Sequence, residues 1–218
     1  MYHYVENVVD TNDSVRLKLN VTPSEFEAQL ETLKKEDYQS FWVKEIPNLT
    51  NQRIQLPEKS VVLTFDDGYR DFYEFAFPLL KKYQLKATVF IISDFIDRND
   101  YLTSDQIKDM IDSALIEIGF HTLNHAYLKN TGSETAKKQI FESKANLEKK
   151  FNVQILSFAY PYGAFDEQSI KLLKEAGYLA GVSTISNTSQ SNKNLFYLSR
   201  MRATNYRGVD LAQALDML

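Results

Sequence analysis

The chain contains no cysteine among its 218 residues. Disulfide bridges and thiolate-ligated metals are therefore excluded, while the redox compartment stays open. No apolar run approaches the ~18 residues that a membrane-spanning helix requires, and no signal peptide is visible. The chain opens at once on structured-looking residues, MYHYV, which raises the expectation of an export or anchor segment upstream of it. No block of Lys or Arg is present: 25 basic residues face 29 acidic ones and the net charge is −4. With a sequence pI of about 5.5, a nucleic-acid partner is not expected. Histidine is scarce, with three in all.

What is present fits a soluble globular protein, 44% hydrophobic and 25% charged. The length suits one large domain, taken here as residues 1–218, with enough chain to bury a core. Tyr and Phe number 13 and 14. Most of them are expected in the core, and the rest could serve as platforms for sugar rings.

Short apolar runs alternate with amphipathic helices. VTPSEFEAQLETLKKEDY opens with a capping box, Thr22 as N-cap, Pro23 in the first helical position and Glu25 three residues after the cap. Phe26, Leu30 and Leu33 follow at one-face helical spacing. Strands are predicted at SFWV, VVLTF, ATVFII, IEIGF, ILSFAY, LAGVST and YLSRMRA. Helices are predicted at YRDFYEFAFPLLKKY (kinked at Pro78), TSDQIKDMIDSA, SETAKKQIFESKANLEKKF, DEQSIKLLKEAG and DLAQALDML. Ser186 to Asn194 is a polar surface loop. Some seven alternations of strand and helix predict an α/β fold of parallel strands covered by helices, either a closed barrel or an open wound sheet.

In such barrels, chemistry sits where strands end and loops begin. Three polar clusters fall at those points: Asp66 and Asp67 after VVLTF, His121 and His125 after IEIGF, and Tyr160 to Gly163 after ILSFA. The spacing His-x-x-x-His puts two imidazoles on one face of a helical turn, as metal sites do. The alternative is that both rings cap or pack. A carboxylate from another strand end makes a third ligand, and two His with one Asp leave positions open for water and substrate. Asp-Asp-Gly is also good turn chemistry, but a turn needs only one of the acids. A bound dication would relieve their repulsion, one Asp coordinating it and the other acting as base.

TFDDG, HTLNH and YPYG, in this order, resemble the polysaccharide deacetylases, the family-four carbohydrate esterases with a nodulation-type deacetylase domain. The resemblance runs from about Val61 to Arg202 and implies a distorted (β/α)7 barrel. It implies Asp67, His121 and His125 as metal ligands, Asp66 as general base, and the backbone N–H of Tyr162 as a donor to the oxyanion. The ligand set suits Zn²⁺, and Co²⁺, Ni²⁺ or Fe²⁺ would bind it too. Two departures stand out. Family members often carry an Arg that tethers the base at the start of the third motif; here that position is Ala159, and Arg200 or Arg202 could reach the same rim. Most members also have a late His as general acid, yet no histidine follows His125. His3 is left, in an opening, YHYV, similar to the circularly permuted intercellular-adhesin subgroup that deacetylates biofilm poly-N-acetylglucosamine. Because first and last strands of a closed barrel are neighbours, His3 could fill the acid's place.

The implied activity is metal-dependent removal of N-acetyl groups from an N-acetylglucosamine polysaccharide: poly-β-1,6-N-acetylglucosamine first, a peptidoglycan or chitin-type polymer as alternatives. The implied setting is extracellular or at the cell surface, and a monomer is expected. Three rivals remain open. An O-acetyl (xylan-type) esterase would use the same site. A catalytically dead carbohydrate-binding homologue draws support from Ala159 and from the terminal position of His3. A non-haem iron oxygenase shares the two-His, one-carboxylate set but generally uses a β-sandwich.

Overall fold

The computed structural model describes residues 1–10, 12–51, 57–186 and 192–216. Its main sheet is parallel throughout and runs in chain order: β3 (Gln39–Phe41), β4 (Ser60–Phe65), β5 (Ala87–Ile91), β6 (Ile116–Phe120), β7 (Ser157–Ala159) and β8 (Ala180–Val182). Two short strands, β1 (Tyr4–Val5) and β2 (Asn20–Val21), pair parallel beside it. The helices are α1 (Ser14–Leu19), α2 (Pro23–Lys35), α3 (Ile46–Thr50), α4 (Phe77–Tyr83), α5 (Ser104–Asp112), α6 (Ser133–Lys137), α7 (Ser143–Phe151), α8 (Glu167–Glu175) and α9 (Gly208–Asp216). None is long and apolar enough to cross a membrane. This is a curled (β/α) half-barrel, in line with the distorted barrel expected.

Strands β5 to β8 are buried along their whole length, as parallel strands covered on both faces must be. Alternation along β5 turns Val89 and Ile91 toward the larger core and Phe90 toward a smaller cluster with Val43, Ala159, Val182 and Leu198. On that inner side the buried Glu117 accepts hydrogen bonds from Thr88 Oγ1 at 2.7 Å and from Ser157 Oγ.

Local signals fared well where capping chemistry is explicit. Thr22 and Glu25 form the expected capping box on α2, Asp166 caps α8, and Gly177 follows it at φ +77°. At Pro78 the helix is not simply kinked. Residues Phe72–Ala76 form a π turn that closes with Phe77 N–H bonded to Phe72 O, and Pro78 sits in the first turn of α4. The imino nitrogen cannot donate, so it falls where no donor is needed. Of the loop expected over 186–194, residues 187–191 lie outside the described residues, as do the last two residues of the expected closing helix.

The predicted strand YLSRMRA does not form. Leu198 makes one parallel bridge to Val182, after which the backbone bonds elsewhere: Arg200 N–H to Ile185 O and Ala203 N–H to Met1 O. The N-terminal segment occupies the remaining gap. Tyr2 N–H bonds Thr64 O at 2.8 Å, and Asp66 N–H bonds Tyr2 O at 3.0 Å. The barrel therefore closes through irregular segments from both ends of the described chain, not through a seventh regular strand. One buried amide ties this seam: Gln29 accepts from Tyr2 OH at 2.8 Å and donates to Ala203 O and Tyr206 O at 3.2 and 2.6 Å.

Candidate active site

At the end of β4 the chain turns through two consecutive left-handed residues, Asp67 and Gly68, both at φ +74°. Asp tolerates that conformation better than most residues, and glycine adopts it freely. The turn separates the two acids. Asp66 meets the Arg200 guanidinium in a two-pronged pair, Nη1–Oδ1 and Nη2–Oδ2 both at 2.7 Å. Arg200 is itself held by Ser183 O at 2.8 Å and Thr64 Oγ1 at 3.3 Å. Burial by itself would raise the pKa of Asp66, but the charge and paired hydrogen bonds of Arg200 hold it well below the usual carboxylate range. Of the two arginines considered, Arg200 reaches the rim, and Arg202 is exposed.

Asp67 turns the other way. Its Oδ1 lies 3.2 Å from His121 Nε2 and 3.3 Å from His125 Nε2, yet it is buried without a hydrogen-bond partner. His121 Nδ1 is 2.7 Å from Ala159 O; since a carbonyl only accepts, that nitrogen carries the proton and leaves Nε2 with its lone pair in the neutral ring. The ligand atoms of Asp67, His121 and His125 all lie within 4.8 Å of one another. Three electron-pair donors aimed at one another around an orphaned carboxylate oxygen fit a divalent cation, and the arrangement is a candidate metal site.

The two imidazoles do not converge on a helix, as their spacing suggested. Residues 122–124 form a turn, and Thr122 and His125 are left-handed at φ +65° and +64°. Thr122 Oγ1 accepts Ala126 N–H at 3.0 Å, and Gln139 Oε1 accepts Leu123 N–H at 3.0 Å. Side-chain hydrogen bonds thus replace the helical ladder. Burial holds His125 below the ordinary histidine range.

In the third cluster Tyr162 adopts φ 59°, ψ 8°. Its carbonyl accepts Thr184 Oγ1 at 3.2 Å, and Gly163 follows at φ +68°. A Cβ at Gly163 would stand 2.1 Å from Thr184 Oγ1. Tyr162 is 66% exposed; its ring packs edge-on against His125 at 4.6 Å and neighbours the exposed Tyr127. Four non-glycine residues with positive φ, namely Asp67, Thr122, His125 and Tyr162, therefore meet at one rim, a concentration of backbone strain typical of functional sites.

His3 lies beside Asp66, its Nε2 3.9 Å from Oδ2, the oxygen that also meets Arg200 Nη2. Burial lowers its pKa against the opposing pull of Asp66 and Asp67. Asp66, Asp67, His121, His125, Arg200 and His3 thus gather at one rim, and Arg202 does not. Sequence reasoning missed the Ala159 carbonyl and the supports from Ser183, Thr64, Gln139 and Thr184. A main-chain carbonyl has no side-chain signature, and isolated Ser, Thr and Gln are too common to flag.

The family pattern described as polysaccharide deacetylase matches residues 53–181. YxkH of Bacillus subtilis is 34% identical over 186 residues, covering 85% of this chain and 66% of that protein; the chain thus spans about two thirds of its length. The poly-beta-1,6-N-acetyl-D-glucosamine N-deacetylase of Staphylococcus aureus is 31% identical over 195 residues, covering 84% of this chain and 67% of that protein. Among solved structures, the Streptococcus pyogenes deacetylase PplD, in complex with acetate, superposes with a TM-score of 0.90 at 29% identity, covering 98% of this chain and 95% of that one.

Proposed function

Since the chain belongs to the polysaccharide deacetylase family, we propose that it hydrolyses N-acetyl groups from an N-acetylglucosamine polysaccharide, with poly-β-1,6-N-acetylglucosamine the first candidate. The single observation that carries this reading is the orphaned Asp67 oxygen facing two imidazole nitrogens next to a carboxylate clamped by a buried arginine. The likeness to the Staphylococcus aureus enzyme supports the choice of polymer.

Asp67, His121 and His125 would hold the cation, zinc by ligand type. A divalent cation bound there supplies a Lewis acid for the acetyl carbonyl and lowers the pKa of an adjacent water. Asp66 takes the proton from the attacking water; Arg200 keeps its carboxylate ionised and fixed while each oxygen retains a second lone pair. The Tyr162 N–H donates to the oxyanion that develops, and one such donor is worth roughly 3 kcal/mol. The amine leaves poorly unless protonated, and His3, once protonated beside the Asp66 carboxylate, delivers that proton and returns to the neutral ring. Exposed Tyr162 and Tyr127 offer ring surfaces beside the site on which a sugar can lie. The substrate's nature assigns the work to the outside of the membrane or the cell surface.

The test is acetate release from β-1,6-linked N-acetylglucosamine oligomers with and without chelator. H3A and D66N should each lose activity while retaining metal. Acetate released only from O-acetylated xylan would replace the amidase reading with an esterase one, and metal binding without any release would make the chain a binding homologue.

A further inference from the structure

The segment that carries His3 is anchored at Tyr2 by backbone bonds to Thr64 and Asp66, and more thinly beyond it. β1 is two residues long and pairs with β2 on one side only. Val5 is fully buried, and its N–H finds its acceptor in a carboxylate, Asp71 Oδ2, at 2.5 Å. Asp71 is 7% exposed and lies in the first helical turn after β4, directly before the π turn. A buried N–H needs an acceptor, and here one acidic side chain provides it two residues from His3. One residue before His3, the chain is bounded by the backbone bond from Asp66 N–H to Tyr2 O at 3.0 Å. Both restraints come from the same short stretch, DDGYRD, which also holds Asp66 and Asp67.

The geometry points to Asp71 as the positioning residue that sets the distance between His3 and Asp66. It acts through the main chain of Val5 and touches no reacting atom. The stacked rings of Tyr4 and Tyr69, 4.0 Å apart, hold the same strand through a side chain, and the Asp71 carboxyl holds it through its backbone. A misplacement of about 1 Å is enough to cost on the order of a hundredfold in rate. The inference deepens the deacetylase reading and rests on His3 as the acid.

The experiment is a kinetic double-mutant cycle on acetate release, using wild type, H3A, D71A and H3A/D71A, with D71N as the conservative variant. Metal content and circular dichroism are checked for each. D71A should lower kcat by on the order of ten- to a hundredfold with KM within about twofold. D71N should stay within about threefold of wild type, because its amide oxygen accepts the same N–H. In the H3A background, D71A should cost less than about twofold, since there is no acid left to misplace. If D71A does not fold, D71S takes its place in the cycle. An impaired H3A enzyme in which the Asp71 substitution still costs its full factor overturns the clamp alone. An H3A enzyme at wild-type rate overturns the acid reading and the clamp with it.

Discussion

Removing Arg200 tests how the site tolerates two adjacent acids. The Asp66–Arg200 pair is nearly dry, with side chains 2% and 5% exposed, and both prongs are short at 2.7 Å. Truncating one partner of such a pair leaves an uncompensated charge, at a cost of about 3–5 kcal/mol. R200M also strips the donors from Ser183 O and Thr64 Oγ1. For a domain of this size each kcal/mol lowers Tm by roughly 2–4 °C, so R200M should melt about 6–20 °C below wild type. R200K should recover little, because an ammonium cannot make the planar fork. D66N should also destabilise, by stranding the guanidinium. The double variant R200M/D66N buries no charge and should be more stable than the two single losses added together, by at least about 2 kcal/mol. Calorimetry on the four proteins, with metal content matched, provides the numbers. An R200M protein melting within about 2 °C of wild type, or strictly additive losses, would refute the argument that this pair holds the base in place.

Three further outcomes follow from the geometry. D67A and H125A should each lose bound metal by elemental analysis while keeping the fold by circular dichroism; full metal occupancy in either would remove that residue from the ligand set. G163A must adopt φ +68° and drive a Cβ into Thr184, so it should cost about 2–5 kcal/mol in urea unfolding; a loss under about 1 kcal/mol would show that the Tyr162 turn relaxes freely. Asp71 gives a pH dependence. Burial, reinforced by Glu6 and opposed by the Val5 N–H and Arg16, pushes its pKa from 3.8 up to about 7. The folded protein then holds a proton that the unfolded chain releases, so the contribution is complete below about pH 4 and is lost as pH rises to about 7, some 4 kcal/mol at most. Unfolding measured at pH 5 and pH 8 should show D71N with a flatter dependence than wild type, and parallel curves would contradict it.

Some of this architecture was legible residue by residue. The capping box at Thr22 and Glu25, the buried runs of β5 and β6 with the buried second half of β4, and Gly177 after α8 are local signals, and local backbone chemistry decides them. The expected strand at 197–203 is the counterexample. Its alternation suits a strand, but the Arg200 side chain turns inward to Asp66, Arg200 N–H bonds Ile185 O, and Ala203 N–H bonds Met1 O. The His121–His125 turn is another: spacing favoured a helix, and backbone N–H groups bonded to the side-chain oxygens of Thr122 and Gln139 around left-handed residues instead.

Amino-acid order alone determined the alternation of strands and helices and the chemical types at three strand ends, because periodicity, caps and side-chain identity are properties of neighbours in the chain. Which arginine meets Asp66, which carbonyl orients His121, and how His3 reaches a rim built some sixty residues later were decided only by tertiary folding. Those contacts join residues 38 to 134 positions apart, and no local preference can encode a distance that exists only once the barrel has closed.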